Sequence, residues 1–222
     1  MTNARPLMSY TYTIGKNIGT NPIAIAVPTK TPPPYLFDAA TSVVPIGKIE
    51  IMAKKGEEIP LGWGIDKYGE LTKDPNEVLK EGSLLPLGGL GEVLGGHKGS
   101  GLALSVNILC GLLTGASWGP YVGIVTKEKT ANIGHLLMAI NIENFVPLQE
   151  FLDNMEKLKN YIKNLPKHPK AERIWIPGEK AWLTMQTRQK IGIPIHKVIL
   201  KDIEEIAKEL GIEFSLDKLK KS

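Results

Sequence analysis

The stretch Gly88–Leu104, GGLGEVLGGHKGSGLAL, holds the residues best suited to chemistry. Glycines flank a His97–Lys98 pair, and an apolar run follows at once. Glycine permits positive φ and close backbone approach. A helix that begins after such a loop aims unpaired N–H groups and a partial positive charge at whatever sits there. Lys98 adds a full charge and His97 a donor or acceptor, a combination that suits an anion, most simply a phosphate or pyrophosphate. The two common phosphate loops are not met: there is no GxGxxG after a strand, and Gly99 follows Lys98 where a P-loop needs Ser or Thr. From the residues alone, an anion cradle and a plain glycine turn capping a buried helix both stand.

Two further strand-end turns have the right character. Asp38 follows the apolar Tyr35-Leu36-Phe37 and precedes AATS, and open α/β sheets bind ligands at the carboxyl ends of strands. A helix N-cap is the other reading of Asp38. Pro177-Gly178-Glu179-Lys180 reads as a strand-to-helix turn whose helix start faces outward. Gly19-Thr20-Asn21-Pro22 is a turn by composition. Of the four histidines, only His97 has the context of a site. His135 lies in an apolar run and reads as a core residue, His168 in a loop, and His196 just before the last helix. None is spaced with a carboxylate for a helical zinc site, and the lone Cys110 supports neither a disulfide framework nor a cysteine metal site.

The elements that must position these residues mix strands and helices. Ile23–Val27 and Tyr35–Phe37 read as strands, joined by a rigid Thr31-Pro32-Pro33-Pro34 connector. A helix capped by Asp38 is expected over the residues to Gly56, with Pro45 and Gly47 implying a kink or a late start. Residues 56–83 read as a surface excursion with a helical turn at Asp74-Pro75. Leu102–Leu113 reads as a buried helix, apolar on nearly every face. Ile133–Ile142 and Ile174–Ile176 read as strands. Leu148–Leu165, Ala181–Lys190 and Lys197–Leu210 read as helices, the first and last amphipathic. This pattern gives an α/β layered sheet, mixed rather than purely parallel.

At 222 residues with a net charge of +4, the chain has the composition of an ordinary globular protein. The basic tail at Lys218, Lys220 and Lys221 lacks the interleaved aromatics of a nucleic-acid platform, so no nucleic-acid partner is expected. No apolar run reaches membrane-spanning length, and one buried thiol suits a reducing, cytoplasmic setting.

Several segments occur together in order: TNA at 2–4, GTNPIAIAVP at 19–28, FDAATS at 37–42, GKIEIMAKKGEEIPLGW at 47–63, LLPLGG at 84–89, GGHKGSGLAL at 95–104, NIGHLLMAI at 132–140 and IWIPGEK at 174–180. In these the chain closely resembles the malate/L-lactate dehydrogenase family that includes L-sulfolactate dehydrogenases, which is distinct from the Rossmann-type enzymes. The resemblance implies a three-layer α/β/α fold with a mixed sheet plus C-terminal helices. It also implies hydride exchange between NAD or NADP and a small 2-hydroxy or 2-oxo acid.

By position, the resemblance makes Asp38, Ala39, Ala40, His97, Lys98, Gly178, Glu179 and Lys180 cofactor contacts, with Thr20 and Asn21 as weaker ones. Family members open with a helical segment that supplies the proton-exchanging histidine and an arginine for the substrate carboxylate. This chain opens inside the family pattern, so no catalytic residue and no metal is expected among its residues. The expected division is a cofactor domain over 1–180 and helices over 181–222 that pack on the missing segment. A homodimer is expected, with a separate chain carrying that segment as a further partner. The alternative is a non-catalytic nucleotide-binding or interaction protein that keeps the fold.

Overall fold

Pro6-Leu7-Met8 and Ile18-Gly19 are too short to show a period in the sequence, yet Met8 and Ile18 are both core side chains. The computed structural model describes residues 1–126, 130–195 and 197–214. His196, the Lys218, Lys220 and Lys221 cluster and the Val198 side chain of the last helix lie outside the described residues. Strands β1 (Pro6–Met8) and β2 (Ile18–Gly19) are antiparallel, and β1 runs parallel to β6 (Ser83–Leu84) with Met8 opposite Leu84. β6 in turn pairs antiparallel with β5 (Gly64–Ile65), so the sheet order is β2-β1-β6-β5 and the sheet is mixed. β5 lies in the stretch expected to be a surface excursion, and β6 begins at its last residue. Their side chains are buried, and it is the frequent turn residues around them that hide them in the sequence. β3 (Ile23–Val27) and β4 (Tyr35–Ala39) form a separate two-stranded sheet.

Helix α1 covers Ile46–Lys55, and this corrects the expectation that Asp38 caps it. Asp38 is an exposed residue inside β4. Pro45 holds an extended backbone (φ −72°, ψ 144°) immediately before the helix, so the late start is the one adopted. Gly56 closes it in the left-handed region, and Lys54 and Lys55 in the last turn suit the helix dipole. α2 (Pro75–Lys80) is capped by Asp74, which accepts the Asn76 N–H at 2.8 Å. Ile49 of α1 and Val78 of α2 join Met8, Ile18, Val44, Ile59, Leu84 and Ala103 in the core.

α3 (Gly96–Asn107) starts before His97, not after the glycine-rich run, and continues into a π-helical turn over Ile108–Leu112. The stretch expected to be a buried helix is not buried on every face. The buried side of α3 is made of small residues, Gly96, Gly99, Ser100 and Ala103, with Val106 and Asn107, while Leu102, Leu104 and Ile108 face outward. Two expected strands do not form. Over 133–142 only His135 pairs, in a single bridge with Thr2, and residues 174–176 are unpaired. His135 is exposed rather than a core residue.

The chain divides into two compact units, one of Met1–Val27 with Leu36–Phe151 and one of Pro28–Tyr35 with Leu152–Ser222. In the second, α4 (Leu148–Lys163) is tied to the proline connector: Lys30 pairs with Asp153 at 2.8 Å, and Lys159 donates to Thr31 O at 2.9 Å. α5 (Glu179–Ile191) and α6 (Lys197–Glu209) follow. On α6 Ala207 is buried, while Ile206 and Leu210 are exposed. No described helix is long and apolar enough to cross a membrane.

Candidate functional site

In the first unit, Thr41 draws three separate stretches of sequence together. Its N–H donates to Thr20 O at 2.8 Å, and its hydroxyl reaches Thr20 O at 3.0 Å and Asn21 O at 3.3 Å. Its carbonyl accepts the Leu87 N–H at 2.8 Å. Ser42 bridges Pro86 and Val43 donates to Leu85 O, which continues the same seam. The Thr20–Asn21 turn, the end of β4 at Ala39–Ala40, and the entry to the glycine-rich loop thus lie side by side.

From that seam the loop runs into α3. Gly95 is the N-cap at φ 91°, a conformation that favours glycine, and it has no side chain to offer the first-turn N–H groups. No acidic residue stands in that turn. Gly99 permits the close seating of the helix: a Cβ there would lie 2.2 Å from Leu87 O. His97 and Lys98 are exposed in the first turn. An uncapped helix start, a lysine and an imidazole at one solvent-facing end fit an anionic group such as a pyrophosphate.

The other expected residues divide by what their side chains already do. Asn21 is buried, with Oδ1 accepting the Ala4 N–H at 2.9 Å and Nδ2 donating to Ala103 O at 2.7 Å, so its amide locks the turn onto α3. Thr20, Ala39 and Ala40 are half-buried, and Asp38 is exposed.

In the second unit, Gly178 caps α5 in the left-handed region. Glu179 is buried, pairs with Lys163 and with Arg173 (3.6 Å), and accepts the Ile176 N–H at 3.1 Å. Burial pushes its carboxyl up, but Lys163, the Ile176 N–H and Arg173 outweigh it and hold the group below the usual carboxylate range. The Arg173 guanidinium and the Lys180 ammonium sit over Trp175, 4.3 and 5.2 Å from the ring centre.

Sequence reasoning missed Asn3 and the β1–β2 loop. Asn3 accepts the Gly134 N–H and donates to Ser117 O. In the loop, the Thr11 N–H donates to Ser100 Oγ of α3 at 2.9 Å, and the two hydroxyls lie 2.7 Å apart. Nothing periodic marks these residues. Among the described residues no three His, Cys, Asp or Glu side chains come together to hold a metal.

A family model described as malate/L-lactate dehydrogenase matches residues 1–204. The chain is 56% identical over 213 residues to a malate dehydrogenase of Pyrococcus abyssi, covering 96% of this chain and 58% of that protein. It is 37% identical over 221 residues to a malate/(S)-sulfolactate dehydrogenase of Methanothermus fervidus, covering 97% and 60%. The solved structure of a malate dehydrogenase from Pyrococcus horikoshii OT3 matches with a TM-score of 0.85 at 49% identity, over 96% of this chain and 57% of that one. The chain therefore spans less than two thirds of the length of each of these relatives.

Proposed function

The chain belongs to the malate/L-lactate dehydrogenase family, and on that premise we propose that it carries the nicotinamide-binding part of a 2-hydroxy-acid oxidoreductase. The cofactor, NAD or NADP, supplies or takes the hydride. The work of these residues is to bind and orient it. The observation that carries the reading is the joining of Thr20–Asn21, Ala39–Ala40 and the glycine-rich loop at the uncapped start of α3.

In this reading the α3 start and Lys98 hold the pyrophosphate, and His97 donates beside it. Asp38, Ala39 and Ala40 form one wall, with Thr20 at its foot. Asn21 acts as the lock that fixes this wall on α3. Gly178, Glu179 and Lys180 are a contact loop on the ground of the family motif, with Glu179 supporting the loop rather than touching the ligand. The cofactor role covers 1–180, and 181–222 docks on other protein. On the ground of the family resemblance, the reading gives the proton exchange to the family's helical opening segment rather than to these residues.

Fluorescence titration with reduced cofactor tests this. The folded chain binds NADH or NADPH, and Lys98→Glu weakens binding at least about tenfold, a loss of roughly 1.4 kcal/mol. Equal binding by Lys98→Glu overturns the assignment of the site. The unassisted chain shows little turnover with malate or sulfolactate, and turnover comparable to a complete dehydrogenase contradicts the placement of the proton-exchanging group.

A further inference from the structure

The β1–β2 loop contains a residue in a conformation its type disfavours. Tyr10 O accepts the Thr13 N–H at 2.9 Å, closing a turn in which Tyr12 stands third, at φ 67°. That position calls for glycine, and a bulky residue held there is strained. Strain of this kind persists only where the surroundings enforce it, and it clusters at functional sites.

Here the surroundings do enforce it. Asn17 Oδ1 accepts the Tyr10 N–H at 3.0 Å, and the Asn17 amide donates to Ile14 O at 3.0 Å, so the loop is braced from within. Thr11, the neighbour of Tyr12, is fastened to the buried Ser100 one turn into α3. Tyr12 is 75% exposed, so core packing is not the reason for its place. Outside the loop the ring faces the glycine-rich run: a Cβ added to Gly91 would meet Tyr12 Cε1 at 3.9 Å, and the phenol hydrogen-bonds the Glu92 side chain. Glu92 faces the phenol, and desolvation together with that carboxylate raises the phenol above its ordinary value.

We propose that Tyr12 is a positioning residue for the nucleotide site: its ring, held by the strained turn and the Thr11–Ser100 tether, lies against Gly91 and fixes the loop that leads into His97 and Lys98. The proposal rests on the reading of α3 as the cofactor cradle. The run from Gly88 to Gly95 is rich in glycine, has Val93 and Leu94 exposed and is closed by two turn bonds, Gly89 N–H to Pro86 O and Gly95 N–H to Glu92 O, so a ring set beside it adds to what holds its shape. An aromatic ring does this at low entropy cost.

The test compares Tyr12→Gly and Tyr12→Phe in the full chain, by melting temperature, reduced-cofactor titration and amide hydrogen exchange over 88–98 without cofactor. Glycine relieves the turn, so Tyr12→Gly keeps or raises the melting temperature. It also speeds exchange over the loop and weakens cofactor binding at least about fivefold. Tyr12→Phe keeps the ring and removes only the bond to Glu92, so it retains most of the wild-type exchange protection and binding. Unchanged loop exchange in Tyr12→Gly overturns the proposal. A fall in melting temperature that tracks the loss of binding also overturns it, since the residue is then merely structural. A wild-type chain that binds neither cofactor contradicts the proposed function, and the exchange measurement still decides whether Tyr12 fixes the loop.

Discussion

Asn21 and Glu179 both carry side chains that a sequence reader assigns to a ligand and that the fold uses for itself. Asn21 gives its whole amide to two backbone groups, Ala4 N–H and Ala103 O. Asn21→Ala leaves both without a partner and destabilises the chain by about 2–4 kcal/mol, measured by urea unfolding. A loss under about 0.5 kcal/mol shows that water takes over both groups. Glu179 is ionised against Lys163 and Arg173, and its carboxyl lies below the ordinary 4.5. A depressed carboxyl contributes stability above its unfolded value and loses it as pH falls through the folded one. Glu179→Gln therefore lowers the melting temperature at neutral pH by the equivalent of about 1–3 kcal/mol, with the half-exposed Lys163 setting the lower end of that range. The deficit narrows as the pH is lowered below 4.5. A deficit that stays constant down to about pH 3 contradicts the ion-pair account.

The helices and the glycine-rich loop show what the sequence made legible and what it did not. α4, α5 and α6 appear within a few residues of their expected bounds, because charged and apolar positions recur at helical spacing in α4 and α6 and Gly192 and Gly211 punctuate the ends of α5 and α6. The sheet was hidden. Three of its four strands have two residues, too few for alternation to register. The start of α3 was displaced because Gly96, Gly99 and Gly101 read as loop, whereas Gly99 is there for the close approach to Leu87 O. Gly99→Ala forces the helix off that carbonyl, which would sit 2.2 Å from the new Cβ. It costs about 1–3 kcal/mol in chemical unfolding and weakens cofactor binding along with it. Wild-type stability in the Gly99→Ala chain contradicts the packing described. The candidate site was legible as separate turns, and Thr41, though it stands in the FDAATS segment, could not be read as their hub because its backbone and hydroxyl bonds run between segments distant in sequence.

Over the whole molecule, each unit shows apolar side chains to solvent. In the first, Leu112 and Leu113 at the end of the π-helical turn are 54% and 70% exposed, and in the second Leu183, Ile199 and Ile206 are exposed. Exposed apolar side chains of this kind pack on other protein where they lie together. The isolated chain accordingly self-associates in a concentration-dependent way by light scattering, and a monodisperse monomer across the range contradicts this. In the function proposed above, the first turn of α3, with His97 and Lys98, holds a nicotinamide dinucleotide. A crystal structure of the chain grown with saturating reduced cofactor tests it most directly. The account predicts phosphate oxygens within hydrogen-bond distance of the backbone N–H groups of Gly96–Lys98. A dinucleotide bound elsewhere, or an empty α3 start at saturation, contradicts it.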